Sequence, residues 1–213
     1  RVQKIPFRFN WETVVTPVVD YALTRKEVDP KRIALMGTSF GGYLAPRAVA
    51  FEKRSRACIA NGGVYDCHAT ARLSPEEEKY LDTPEGAQEF DRVIRERMKG
   101  DPSFRWVMAN GMFTFRAQSP SEWLKMTRPY TLEEVAAKIT CPILVVDSEE
   151  DKDMPGQAAK LYAALATRKD FPPFTREEGA AEHCQMGAVL ISNARILDWL
   201  DDRMSAEHRG RRG

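Results

Sequence analysis

RIALMGTSFGGYLAPRAV, Arg32 to Val49, is the stretch whose reading decides the fold. Ile33-Ala34-Leu35-Met36 is a short apolar run without alternation, the pattern of a strand buried on both faces, as in parallel sheets. It runs through Gly37-Thr38-Ser39-Phe40-Gly41-Gly42 into a segment, Tyr43 to Lys53, that reads as helix. A serine at the tightest point of a strand-to-helix turn is held in a strained backbone conformation. Glycine two positions to either side is then required by packing. The Ser39 hydroxyl would stand clear of the sheet's carboxyl edge at a helix N-terminus, where the Phe40 backbone N–H can face a developing oxyanion. The bland alternative is a glycine-rich turn with an incidental serine, and the flanking strand and helix weigh against it.

A serine hydroxyl needs a base at neutral pH. Of the three histidines, His208 lies in a basic tail and His68 at the start of a charged, helical region; both read as solvated or surface polar. His183 lies in GAAEHCQMGA, a loop between a weak strand and the last helix, near the carboxyl edge where such sheets bind ligands. The base needs an acid to hold its tautomer. VVDSEEDKDMPG offers Asp147, Glu149, Glu150, Asp151 and Asp153. Asp147 ends the apolar run, whereas Asp151 sits out in the loop, where it can reach toward the histidine loop. Asp151 therefore leads and Asp147 is second.

Working outward, Asn10 is placed to cap a helix over WETVVTPVVDYALTRKE, with Pro17 inside it as a kink or a later start. ACIANGG reads as a second buried strand. From Tyr65 to Ile139 charges thicken and helix starts recur at Ser74-Pro75, Thr83-Pro84, Asp101-Pro102, Ser119-Pro120 and Thr131-Leu132-Glu133. CPILVVDSEED returns to a buried strand, a helix covers Gly156 to Thr167, PFTREEGA is a weaker strand, and Gly187 to Met204 reads as an amphipathic helix through Val189, Ile191, Ile196, Leu197 and Leu200. The class is α/β, a mostly parallel sheet flanked by helices. The expected organisation is a core over 1–64 with the serine turn, a helical cap over 65–139, a core over 140–204 with the acid and histidine loops, and a basic tail over 205–213.

The chain has 213 residues, 43% hydrophobic and 30% charged, with a net charge of +1. That is enough for a sizeable core, and it supplies no strong field for nucleic acid or acidic lipid. Cys58, Cys67, Cys141 and Cys184 show no metal-ligand spacing and read as free thiols of a reducing, cytoplasmic setting. No apolar span is long enough for a membrane, so neither membrane nor nucleic acid is an expected partner. A homodimer stays open.

The segments GTSFGGYLAPRA, CPILVVDSEEDKDMPGQAAKLYAAL and AEHCQMGA together resemble the α/β-hydrolases over nearly the whole chain. They look most like the branch containing dihydroxypseudooxynicotine hydrolase, the fermentation–respiration switch proteins and polyketide-shortening hydrolases. That resemblance implies Ser39 as nucleophile, Asp151 as acid and His183 as base. The branch's acid falls in an E-x-D loop ahead of Pro155-Gly156-Gln157. Its helical lid lies between two strands, as Tyr65–Ile139 does here. It implies cleavage of a ketone carbon–carbon bond, an ester or a thioester in a small-molecule carbonyl substrate, with no metal or organic cofactor. Gly-x-Ser-x-Gly-Gly-Tyr also resembles the elbow of the prolyl oligopeptidases, whose selectivity domain usually precedes the hydrolase domain; a peptidase is the lower-placed alternative, with a catalytically silent scaffold beside it.

A hydrolase of this type has further strands ahead of the helix at Trp11, and its second oxyanion N–H comes from that part. The expectation is therefore the C-terminal part of the fold, with a missing N-terminal segment or cleaved partner chain and a second donor upstream of Arg1. Phe104, Trp106, Met108, Met112, Phe113, Phe115 and Trp123 could line an aromatic or polyketide pocket, although packing inside the cap explains most of them more simply.

Overall fold

The computed structural model describes residues 4–209, with side chains described through residue 205. Two compact units emerge: Asn10–Asp66 with Thr131–Gly213, and Arg1–Phe9 with Cys67–Tyr130. In chain order the helices are α1 Glu12–Leu23, α2 Gly41–Val49, α3 Pro75–Leu81, α4 Pro84–Gly100, α5 Pro102–Phe115, α6 Pro120–Met126, α7 Gln157–Ala164 and α8 Val189–Arg209. The strands are β1 Ala34–Thr38, β2 Ala57–Asn61, β3 Ile143–Ser148, β4 Lys169–Asp170 and β5 Pro173–Phe174.

The first unit holds the sheet. β1 pairs with β2 and β2 with β3, all parallel, with Ala34 opposite Ala57 and Cys58 opposite Ile143. β4 and β5 both pair with β3, at Ile143–Lys169 and Asp147–Pro173. They are two pieces of one broken strand, because Pro172 and Pro173 cannot donate to the ladder. Every residue of β2 is buried, as its unbroken apolar run requires. Alternation along β3 divides its side chains between two helical layers. Leu144 and Val146 join Ile59, Phe174 and Ile196 of α8, while Val145 lies with Leu161 of α7 around Gly63.

Several local expectations change. The N-cap of α1 is Trp11, with no side-chain cap bond, so Asn10 does not cap it. The Asn10 carbonyl instead accepts from the backbone N–H and hydroxyl of Thr13. α1 runs unbroken through Pro17. In α8 the buried stripe is Ser192 and Ile196, with Trp199 and Leu200 packed beside it. Val189, Ile191 and Leu197, expected in that stripe, are exposed. The reason is that the sheet contacts fix a different rotation from the one that apolar spacing suggested. α8 also continues to Arg209, into the segment expected as tail. The His208 side chain and residues 210–213 lie outside the described residues. Among the described residues no helix is long and apolar enough to cross a membrane, and the four cysteines are free.

The second unit is helical, and its starts follow capping chemistry. Ser74, Thr83, Asp101 and Ser119 each accept the backbone N–H three residues on, with proline at the first helical turn. The fifth expected start gives no α-helix. Thr131, in the first unit, bridges Asp66 and is followed by a 3₁₀ turn at Ala136–Lys138. His68 is half-buried within the helical unit rather than solvated. Its Nε2 lies 2.6 Å from Glu78 and its Nδ1 2.8 Å from Thr127. The aromatic candidates divide. Trp123 lies against Phe115 and over Gly111, where a Cβ would come within 2.4 Å of its ring, and Phe104 sits under Arg97. Trp106 and Phe113 are exposed, and Met108 and Met112 are half-buried.

Asp101 ends α4 and starts α5, accepting the Phe104 N–H at 2.9 Å. Asp101→Ala is expected to destabilise the helical unit by about 1 kcal/mol, read as a lower urea midpoint of its unfolding transition.

Candidate active site

The site is built from three loops at the carboxyl ends of the strands. The first is the turn from β1 into α2. Ser39 has φ +57, a left-handed conformation that a non-glycine residue adopts only under local compulsion. Two contacts supply it. The Ser39 N–H donates to the Asn61 carbonyl at the end of β2, at 2.9 Å. At Gly37 an added Cβ would lie 2.0 Å from the Gly41 carbonyl oxygen. Only the glycine before the serine is sterically compelled, however. A Cβ on Gly41 meets nothing within 4 Å, so the expected symmetry of the two flanking glycines does not hold. The second tight position is Gly42, where a Cβ would come within 2.7 Å of the Gly62 carbonyl. Phe40 is the N-cap of α2, so its N–H belongs to the helix's first amides, beside the serine hydroxyl.

The second loop follows β3. Asp151 is 9% exposed, and its Oδ1 accepts the N–H groups of Asp153 and Met154, both at 2.9 Å. The third loop is the 3₁₀ turn His183–Gln185 ahead of α8, in which Cys184 and Gln185 also have φ of +53 and +56. The second and third loops are tied together twice. Glu150 N–H donates to the Ala181 carbonyl at 2.9 Å, and Gln185 Nε2 donates to Ser148 Oγ at 2.9 Å.

These ties set one line of contacts. His183 Nε2 lies 2.9 Å from Ser39 Oγ, and His183 Nδ1 lies 2.7 Å from Asp151 Oδ2. Burial pushes the Asp151 carboxyl up, but the His183 contact and the two N–H donors outweigh it and leave it below its usual range. Burial also pulls the His183 imidazolium down, and the Asp151 and Cys184 contacts outweigh that, raising it above its ordinary 6.5. Asp147 takes no part in this line. It accepts its neighbour Ser148 N–H at 3.0 Å and is raised by burial. It lines a separate cavity of about 400 Å³ behind the acid loop, together with Asp151 and Phe171, that includes neither Ser39 nor His183.

Glycine at position 62 is part of the site. It has φ +76, and a Cβ there would lie 3.1 Å from Cys184 Sγ and 3.3 Å from His183 Cε1. The sequence marked it only as the end of a strand, and its signal was the pair Gly62-Gly63 directly after a buried run. Gln185 and Ser148 left no comparable signal, because their pairing joins loops far apart in the chain. Asp151, Asp153 and His183 could also offer ligand atoms to a cation, all within 4.8 Å of one another. A cation there would have to displace the hydrogen bonds that both Asp151 oxygens already make.

A parallel sheet with helices on both faces, a left-handed serine between β1 and α2, and acid and histidine loops after later strands define one architecture. The chain carries the α/β-hydrolase fold. The crystal structure of 2,6-dihydroxy-pseudo-oxynicotine hydrolase superposes on this chain with a TM-score of 0.67 at 19% identity, covering 95% of it and 48% of that protein. The α/β-hydrolase GrgF from Penicillium sp. sh18 superposes with a TM-score of 0.60 at 19% identity, covering 91% and 71%. Residues 15–95 match the prolyl oligopeptidase family. In sequence, the chain is 25% identical over 94% of its length to 20-hydroxy-prefusarin hydrolase of Gibberella moniliformis, 51% of which is covered. It is 29% identical over 95% to a hydrolase of Phaeosphaeria nodorum, 48% of which is covered. The chain thus spans about half the length of the curated relatives it matches.

The two flanking glycines of this hydrolase fold's turn are expected to respond in opposite ways. Gly37→Ala should cost at least about 3 kcal/mol, since the colliding atom is backbone and cannot move aside. Gly41→Ala should be neutral or stabilising by up to about 1 kcal/mol. Thermal melts of the two variants measure the contrast.

Proposed function

We propose that the protein is a serine hydrolase in which Ser39 is the nucleophile, His183 the general base and Asp151 the orienting acid. The observation that carries this reading is the uninterrupted relay from Ser39 Oγ through both imidazole nitrogens to Asp151 Oδ2, at 2.9 and 2.7 Å. His183 Nε2 takes the hydroxyl proton as Ser39 Oγ attacks the substrate carbonyl carbon. The oxygen that gains the electron pair is held in part by the Phe40 N–H. Collapse expels the leaving group, which takes the proton from His183, and an acyl-enzyme remains. Water, deprotonated by His183, then attacks the acyl carbon and releases a carboxylic acid with Ser39 restored.

The substrate class favoured is a small molecule with a ketone, ester or thioester carbonyl, aromatic or polyketide-like. Support comes from the hydrolase names of the fungal relatives, 20-hydroxy-prefusarin hydrolase among them. For carbon–carbon cleavage the leaving carbon departs as an enolate or similarly stabilised carbanion and is protonated from His183. A peptidase is the second reading, favoured by the match of residues 15–95 to the prolyl oligopeptidases.

A fluorophosphonate is expected to label the protein at Ser39, with labelling lost in Ser39→Ala and His183→Ala and reduced roughly 10⁴-fold in Asp151→Asn. Asp147→Asn should label at the parent rate. Absence of labelling in the folded protein would instead favour a catalytically silent scaffold. Turnover of an aryl diketone or a thioester, set against a prolyl peptide, separates the two substrate readings.

The base must be neutral to accept the Ser39 proton, and His183 holds its proton above the ordinary imidazole range. Labelling rate should therefore rise with pH through a midpoint above 6.5. In Asp151→Asn the main partner that raises His183 is lost and burial remains, so the midpoint should move to lower pH. A pH profile of the phosphonylation rate checks both shifts.

A further inference from the structure

At the amino ends of the strands, opposite the edge that carries Ser39 and His183, a cavity of about 360 Å³ is walled by the residues leading into β2, β3 and β4. Lys31, Lys53, Arg56, Arg168 and Arg203 line it together with Ser55, and among the described residues no carboxylate does. The chain as a whole carries only +1, so this is a local concentration of like charge with a cost in self-repulsion. Two buried polar atoms in the wall also lack a hydrogen-bond partner: Ser55 Oγ, in a residue 4% exposed, and Arg203 Nε. Native interiors rarely leave such atoms unpaired, and an absent ligand is one of the few physical reasons for it. Arg203, which lines the cavity, is anchored through Nη2 to Asp170 at 2.7 Å, which fixes its guanidinium. Lys53 is steadied by the Lys138 carbonyl at 2.5 Å, which uses one of its three donors.

We propose that this cavity binds a small phosphorylated anion through a diphosphate-type group. Several cations around one small space match a multiply charged anion better than a single carboxylate, and guanidinium forks match phosphate oxygens in pairs. The Ser55 hydroxyl donates to a phosphate oxygen and so gains its missing partner. The volume lies at the small-molecule end of ligand cavities and suits a diphosphate with a modest organic substituent. Strand β2 separates the cavity from the Ser39 edge by five residues, roughly 16 Å at about 3.3 Å per residue, so the bound anion does not touch the reacting atoms. The site is independent of the proposed hydrolase chemistry.

Calorimetric titration with inorganic pyrophosphate, ADP and sulfate at matched ionic strength tests it. Pyrophosphate should bind at least roughly ten-fold more tightly than sulfate, and Arg168→Ala should weaken it by about ten-fold. Arg168 is exposed, so that variant keeps the fold. Ser55→Ala should weaken binding several-fold, with the circular dichroism spectrum and fluorophosphonate labelling of Ser39 unchanged. Binding of ADP more tightly than pyrophosphate supports an organic ligand, and equal binding supports recognition of the diphosphate alone. Equal affinity for sulfate and pyrophosphate, or pyrophosphate affinity indifferent to Arg168→Ala, overturns the proposal.

Discussion

A left-handed backbone at Ser39 is the constraint on which the rest of the site depends. It costs conformational energy that a serine in an ordinary loop would relieve by turning over. Here the Ser39 N–H is held by the Asn61 carbonyl, and the chain folds so tightly that Gly37 meets the Gly41 carbonyl. The hydroxyl is thereby fixed where α2 begins and β1 ends, on a parallel sheet whose central strands are buried on both faces. Rigid support matters because a relay of hydrogen bonds tolerates little displacement of its members.

The other two members are placed by loops that brace each other rather than by strands. The Glu150–Ala181 and Gln185–Ser148 bonds lock the acid loop to the histidine turn before either side chain is considered. Two consecutive left-handed residues, Cys184 and Gln185, then bend the chain back toward α8. Glycine at 62 keeps the floor low enough for the imidazole to lie over it. Stability is thus given up at Ser39, Cys184 and Gln185, in a fold whose buried apolar strands can bear the loss. The basic cavity at the opposite edge repeats the pattern with charge in place of strain.

Much of this was legible in the sequence. The buried strands β2 and β3 announced themselves as unalternating apolar runs, whereas β1, read the same way, ends the strand order with no fully buried residue and Met36 exposed. Four helix starts were written in residues whose side chains accept an N–H three positions on. The serine turn, the histidine loop and the acid-rich loop were each visible as local patterns. What misled were arguments from spacing alone. Both flanking glycines looked necessary, yet the open space at Gly41 and the contact at Gly42 depend on where β2 ends. Val189, Ile191 and Leu197 looked like a buried stripe, yet the sheet meets α8 along Ser192 and Ile196.

The sequence by itself determined most of the element types, the parallel α/β class and the three loops that meet at the carboxyl edge of the sheet, because propensity, capping and turn geometry act over a few residues. Tertiary structure alone decided which glycines are sterically required and that five separated cations share one cavity. Those outcomes rest on contacts between segments distant along the chain, and at ångström scale such contacts are set by how the sheet and its helices pack. No spacing rule within one segment carries that information.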